Sequence, residues 1–130
     1  MSKKIPNEIE CEITPIGGLK GLSTRIPSRK VLNDIAKYFE ILSEPIRIQI
    51  ILVLKEDRLC VCVLKNILSC DGTKLSYHLA VLRHAGIVTC RREKSFLRYS
   101  LTPRGTAILS QLLERINSDL KSRPKASALQ

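Results

Sequence analysis

Tryptophan is missing from this 130-residue sequence, and Tyr38, Phe39, Tyr77, Phe96 and Tyr99 are its only aromatic residues. The core is therefore expected to be aliphatic, and reading of unstacked RNA bases by exposed rings is disfavoured. Long apolar runs are lacking too. "IQIILVL", Ile48 to Leu54, is interrupted by Gln49 and falls short of the roughly 18 residues that read as a bilayer span. The basic start "MSKKIPNEIE" has no apolar stretch behind it, so no secretory signal is expected. A cytoplasmic location is the expectation, and in a reducing compartment the five cysteines are thiols or metal ligands before they are disulfides. There is no C-x-x-C pair, no phosphate-binding loop and no acid–base pair around a nucleophile, so no enzyme is expected. Acidic residues are scarce: 12 Asp+Glu face 22 Lys+Arg, a net charge of +10. That excess favours a polyanionic partner, nucleic acid ahead of a membrane surface.

What is present organises into three segments. Residues 1–28 hold Pro6, Pro15, Pro27, Gly17, Gly18 and Gly21 with little periodicity and read as an irregular, flexible arm that leaves room for a short ordered piece. Residues 29–121 read as one domain, and residues 122–130 as a disordered tail. Within the domain, Val31, Leu32, Ile35, Ala36, Phe39 and Leu42 recur at helical spacing. "LSEP" ends that helix, with Ser43 as an expected N-cap and Pro45 in the first turn of the next. The helix from Glu44 to about Lys55 is apolar almost all round and should be the central buried one. A short helix near Val61 to Leu68 follows, then a fourth over roughly Thr73 to Ala85 closed by Gly86. Val88 to Leu101 reads as a two-stranded hairpin turning at Glu93-Lys94. "TPRG" opens a last helix striped with Ile108, Leu109, Leu112, Leu113, Ile116 and Leu120. Helices followed by a basic hairpin make a mainly α, winged helix-turn-helix arrangement.

The fourth helix, "TKLSYHLAVLRHAG", carries the most specific signal. Leu75, Leu79 and Leu82 fall on one face, to be buried. Thr73, Lys74, Tyr77, Val81 and His84 occupy the other, flanked by Ser76 and His78. Donors at the amino-terminal half of such a helix meet base edges in the major groove of double-stranded DNA. Thr73, Lys74, Ser76, Tyr77, His78 and Arg83 are the candidate contacts, with Arg91, Arg92, Lys94 and Arg98 on or beside the hairpin for phosphates. Residues 71–104 hold seven basic residues against Asp71 and Glu93, half of the net charge. The wide apolar stripes of the first and last helices suit a homodimer, whose reading helices would lie about 34–36 Å apart, one turn of DNA.

In this order, "ILSEPIRIQIILVL", "LCVC", "KLSYHLAVLRHAGIV" and "RREKSFLRYSL" resemble the ArsR/SmtB family of metal- and metalloid-responsive repressors, over about residues 30–120. The resemblance implies a homodimer that binds an inverted-repeat operator and releases it when an inducer binds. "LCVC" points to the thiolate-sensing branch, with Cys60 and Cys62 as metal ligands. By that similarity the ion is trivalent arsenic or antimony; by softness alone Cd(II), Pb(II) or Zn(II) also qualify. No permanent cofactor is implied. Within a regular helix the two thiols of C-x-C point roughly 200° apart. They can share an ion only if Cys60 precedes the helix or the first turn is distorted. A helix amino terminus should also lower thiol pKa.

A third ligand is not where the resemblance puts it. Arsenic-sensing relatives often read "ELCVCDLC", and here Lys65 stands in place of the last cysteine and Val63 in place of the aspartate. Cys11, in the arm, is the expected substitute, reaching Cys60 and Cys62 of the partner subunit. Cys70 and Cys90 read as inert packed thiols. The family's other site, on the last helix, needs histidine; this helix has Glu114 and Asp119 but no histidine, so no zinc site is carried over. Two alternatives stay open: a thiol-redox regulator on the same fold with no metal ligand, and a basic RNA-binding protein.

Overall fold

The computed structural model describes residues 4–122, with Ser122 described in its backbone alone. The expected tail, 122–130, therefore lies outside the described side chains. The chain divides into two compact units, Met1–Lys37 and Tyr38–Gln130. In the first, the residues read as an irregular arm form helix α1 (Asn7–Ile13), a 3₁₀ turn (Thr14–Ile16) and helix α2 (Gly18–Ser23). The prolines sit where helices tolerate them. Pro6 caps α1 and Pro15 lies in the first turn of the 3₁₀ segment, while Gly17 takes φ 107° to link it to α2. Helix α3 (Arg29–Ile41) then leads into the second unit.

The second unit contains α4 (Pro45–Leu54), β1 (Leu59–Cys60), α5 (Val61–Ile67), α6 (Gly72–His84), β2 (Val88–Glu93), β3 (Phe96–Leu101) and α7 (Pro103–Ser122). The elements match the periodicities of the sequence, with two differences. The hairpin has become a three-stranded antiparallel sheet of order β1-β3-β2, because the two residues before α5 pair with β3. And Ser43 does not cap α4: its Oγ donates to the Glu40 carbonyl at the end of α3, while Glu44 holds the cap position of α4 without a side-chain bond. A hydroxyl one residue too early reaches back to a free carbonyl more easily than forward to the next helix's amides.

The core is aliphatic apart from Tyr99, as the composition required. Ile50, Ile51 and Leu54 of α4, Leu64 of α5, Leu75, Leu79 and Leu82 of α6, Val88, and Ile108 and Leu109 of α7 are buried together. The last helix thus commits only its first turns to this core. Leu113, Ile116 and Leu120 remain exposed, as do Val31, Leu32, Ile35 and Phe39 of α3. Cys70 and Cys90 are half-buried and pack against the core as small apolar groups. No described helix is long and apolar enough to cross a membrane.

Candidate DNA-reading face and thiol site

Helix α6 is bounded at both ends by local chemistry. The Asp71 carboxylate accepts from the Lys74 backbone N–H at 2.9 Å, an N-cap that satisfies one of the helix's free donors. At the other end Gly86 takes φ 75°, its N–H reaching the Arg83 carbonyl while the Ile87 N–H reaches Leu82 at 2.9 Å. These two bonds form a Schellman closure, which only a left-handed residue permits. The leucine face is buried. Thr73, Lys74, Ser76, Tyr77 and Arg83 are exposed and His78 is half-buried. Lys74, Thr73 and Ser76 line an open groove of about 690 Å³ together with Asp71, Gly72, Val61 and Lys65.

The wing places its cations in two ways. Arg91, Arg92 and Lys94 are exposed, Lys94 at the tip with φ 58°. Arg98 faces Arg91 across the sheet, and its Nε bonds the Glu93 carboxylate at 3.1 Å. Arg58 pairs with the same carboxylate from just before β1. Two like charges in register repel, and Glu93, two residues along β2 from Arg91, offsets this by pairing diagonally with Arg98. Arg98 is also the cross-strand partner of Cys60. The wing and the thiol site are thereby joined through one arginine.

Cys60 has extended dihedrals, φ −69° and ψ 148°, and stands at the cap position ahead of α5, with Cys62 in the first turn. Leaving the helix removes the 200° divergence, and the Cys62 thiol donates to the Cys60 sulfur at 3.0 Å. Both thiols are accessible to solvent at least in part. The two thiol pKa values move in opposite directions. Cys60 is lowered, first by the Cys62 thiol and then by the Cys62 amide, with the Arg98 charge contributing. Cys62 is raised, chiefly because its proton is held by Cys60. At neutral pH, Cys60 is expected to alkylate with iodoacetamide several-fold faster than Cys62, and Cys62→Ala to slow it by removing the donor. Peptide mapping by mass spectrometry measures both rates, and equal rates in the wild type would refute the assignment of Cys60 as the lower-pKa thiol.

Two sulfurs on a tetrahedral ion at about 2.3 Å from the metal stand roughly 3.8 Å apart. The pair stands 3.0 Å apart, closer than that span, so the two sulfurs would have to separate to share such an ion. Among the described residues, no three Cys, His, Asp or Glu side chains come together within one chain. Cys11 is exposed on α1. Lys65 lies along the first turn of α6: its Nζ is 3.4 Å from where a Cβ on Gly72 would stand. The position that holds a thiol in the resembled family thus carries a cation beside α6.

Arg47 stands in no candidate-site motif of the sequence. It is the one charged side chain in the core of the described residues, and it touches Tyr77 and His78 of α6. An isolated cation in "PIRIQIILVL" was the available signal, because a buried charge needs partners. Arg58 was also missed; nothing local distinguishes it from other surface arginines.

The family profile described as "Bacterial regulatory protein, arsR family" matches residues 44–89, from the cap of α4 into β2. A cadmium resistance transcriptional regulatory protein CadC homolog of Staphylococcus aureus is 41% identical over 69 residues, 52% of this chain and 57% of its own length. The arsenical resistance operon repressor of Escherichia coli is 35% identical over 77 residues, 58% of this chain and 66% of its own. The matched segment thus spans less than two thirds of these relatives. Coverage is fuller for the biofilm growth-associated repressor of Xylella fastidiosa, 33% identical over 93 residues, 72% of this chain and 82% of the relative. Among solved structures, the transcriptional repressor BigR from Xylella fastidiosa superposes with a TM-score of 0.61 at 27% identity, covering 73% of this chain and 93% of that one. The homodimeric winged helix-turn-helix DNA-binding domain from Mycobacterium bovis also gives 0.61, at 22% identity, covering 77% and 94%, and attests the fold.

Proposed function

This chain belongs to the arsR family of bacterial regulatory proteins, and from that premise we propose that it is a DNA-binding transcriptional repressor released by a thiophilic ion at Cys60 and Cys62. Arsenite or antimonite is the first choice of ion, followed by Cd, Pb or Zn. The observation that carries the reading is the thiol pair itself: two sulfurs 3.0 Å apart, one on each side of the start of α5. The named cadmium and arsenical regulators among its relatives support the same ion class. The pair supplies two donors, and a three-coordinate metalloid needs a third, assigned here to Cys11 of the partner subunit. The homodimer is proposed to form through the exposed stripes of α3 and α7. On DNA, α6 reads bases through Thr73, Lys74, Ser76, Tyr77 and His78, while Arg83, Arg91, Arg92, Lys94 and Arg98 meet phosphates.

The register offers a route for release. Cys60 is paired to Arg98 in β3, and Cys62 begins the helix that carries Lys65 to the start of α6. Spreading the two sulfurs from 3.0 Å to the span of one ion moves β1 and the first turn of α5 apart, and with them the wing arginine and α6. The test is operator binding, on duplexes selected from a random pool, titrated with arsenite, antimonite, cadmium, lead and zinc. Release by any of these at stoichiometric levels supports the reading; retention with all of them refutes it.

The same sulfur–sulfur distance favours a second reading, a thiol-redox regulator. Peroxide would take two electrons and two protons from Cys60 and Cys62, leaving a disulfide and two molecules of water. Release by peroxide without any ion, with a mass loss of two hydrogens reversed by dithiothreitol, distinguishes it.

A further inference from the structure

The buried cation of α4 points into the reading helix. Arg47 is only 7% exposed. Its NH1 donates to the Ile41 carbonyl at 3.1 Å, and its Nε donates to Nδ1 of His78, also at 3.1 Å. Its guanidinium carbon lies 5.7 Å from the centre of the Tyr77 ring, within cation–π range. The Tyr77 and His78 rings are 5.4 Å apart and edge-on. Arginine has no acceptor and stays protonated, so the bond to Nδ1 admits one arrangement. Nδ1 of His78 must be the acceptor, and the ring proton must sit on Nε2.

We propose that Arg47 is a positioning residue for DNA reading: it fixes His78 as the neutral Nε2–H tautomer and steadies Tyr77, so that α6 presents a defined uncharged donor beside a phenol to the major groove. A guanine N7 or O6, an adenine N7 or a thymine O4 are the acceptors such a donor matches. Arg47 itself touches no DNA in this arrangement. The inference rests on the reading of α6 as the DNA-facing helix, and it adds how that face is held.

A consequence with an unusual sign follows for pH. Protonating His78 takes the acceptor from Arg47 and sets two cations against each other. The charged groups acting on His78 are Arg47 and Glu44 from α4 and its cap, and Lys74 from α6; Glu44 alone favours the proton. Burial, then Arg47, holds the His78 pKa below the ordinary imidazole value. Added positive charge ordinarily tightens binding to a polyanion. Here acidification below about pH 6.5 is expected to weaken preferred-sequence binding while leaving binding to mixed-sequence DNA level or tighter. Folding stability follows the same sign. The unfolded histidine takes its proton first, so the contribution present above that pH is lost as pH falls through the folded value.

The test begins on the unmodified full chain, with ring ¹⁵N spectra of His78 and with the ratio of preferred-duplex to mixed-sequence affinity between pH 5.5 and 8. The expected results are the Nε2–H tautomer and a ratio that falls toward acid. In Arg47→Gln the preferred-duplex affinity should drop about tenfold, with mixed-sequence binding changed less than about twofold because no phosphate contact is lost. His78→Asn keeps an acceptor for Arg47 and a donor for DNA but cannot titrate, so its ratio should be flat with pH. An Nδ1–H tautomer, a ratio indifferent to pH in the wild type, or equal losses on both DNAs in Arg47→Gln would overturn the role of Arg47 and leave the DNA function standing. A wild-type chain with no duplex preference at all would overturn the DNA reading, and the role with it, whatever the tautomer.

Discussion

Joint replacement of Cys60 and Cys62 by serine is expected to abolish ion-driven release from the operator while leaving the ion-free affinity within about twofold of wild type. Neither thiol is in the buried core, so exchanging sulfur for a hydroxyl should cost little stability, about 0.5 kcal/mol or less. Coupling between an effector and a ligand is commonly 1–3 kcal/mol, so the wild-type affinity should fall about 5–150-fold with the ion bound. Hydroxyls are poor donors to soft ions, and the ratio in the double variant should therefore be about one. The single variants carry more information. Cys60→Ser removes the lower-pKa thiol of the pair and should match the double variant. Cys11→Ser should weaken the ion's effect without eliminating it, since the Cys60–Cys62 pair remains. Gel shift or fluorescence anisotropy with each ion measures all of these. Normal release in the double variant would remove the site from Cys60 and Cys62 altogether.

Gly105→Ala is expected to be the most destabilising small substitution in the molecule, at about 3 kcal/mol in urea denaturation. Gly105 is buried in the first turn of α7, where its N–H bonds the Thr102 hydroxyl at 3.1 Å. A Cβ there would fall well inside contact distance of the Ile87 carbonyl oxygen, with Leu101 Cδ2 at 3.1 Å. That carbonyl cannot retreat freely, because the Thr102 N–H and hydroxyl both bond to it. Ile87 in turn closes the Schellman motif of α6, so the strain would reach the carboxyl end of the reading helix. Gly72→Ala is the control. The atoms a Cβ would meet there are Nζ and Cε of Lys65, the far end of a flexible side chain. It should be neutral or slightly stabilising, since alanine is the better helix former by about 1 kcal/mol. A loss under about 0.5 kcal/mol in Gly105→Ala would refute the close-approach argument.

Much of this fold was legible because local chemistry decides it. Gly86 closes, Pro45 opens, and Leu75, Leu79 and Leu82 bury themselves by period alone, so α4, α6 and α7 lie within a residue or two of the bounds the periodicity predicts. In the arm, Pro6 and Pro15 sit at helix starts, where a missing N–H costs nothing.

The candidate site divides along the same line. Its residue types and spacing, the C-x-C pair and the row of donors on one helix, are properties of the sequence, and the proposal of a DNA partner and a soft ion starts from them. Their arrangement is not local. Cys60 leaves the helix because Leu59 and Cys60 pair with Tyr99 and Arg98, nearly forty residues away, and only that pairing turns two divergent thiols into neighbours. Arg47 meets His78 across thirty-one residues, and Gly105 meets Ile87 across eighteen. Capping and periodicity act over a turn or two of chain, so no local rule could have predicted these contacts. They exist because the aliphatic core brings α4, α6 and the wing together, and that packing alone decided which charges and thiols touch.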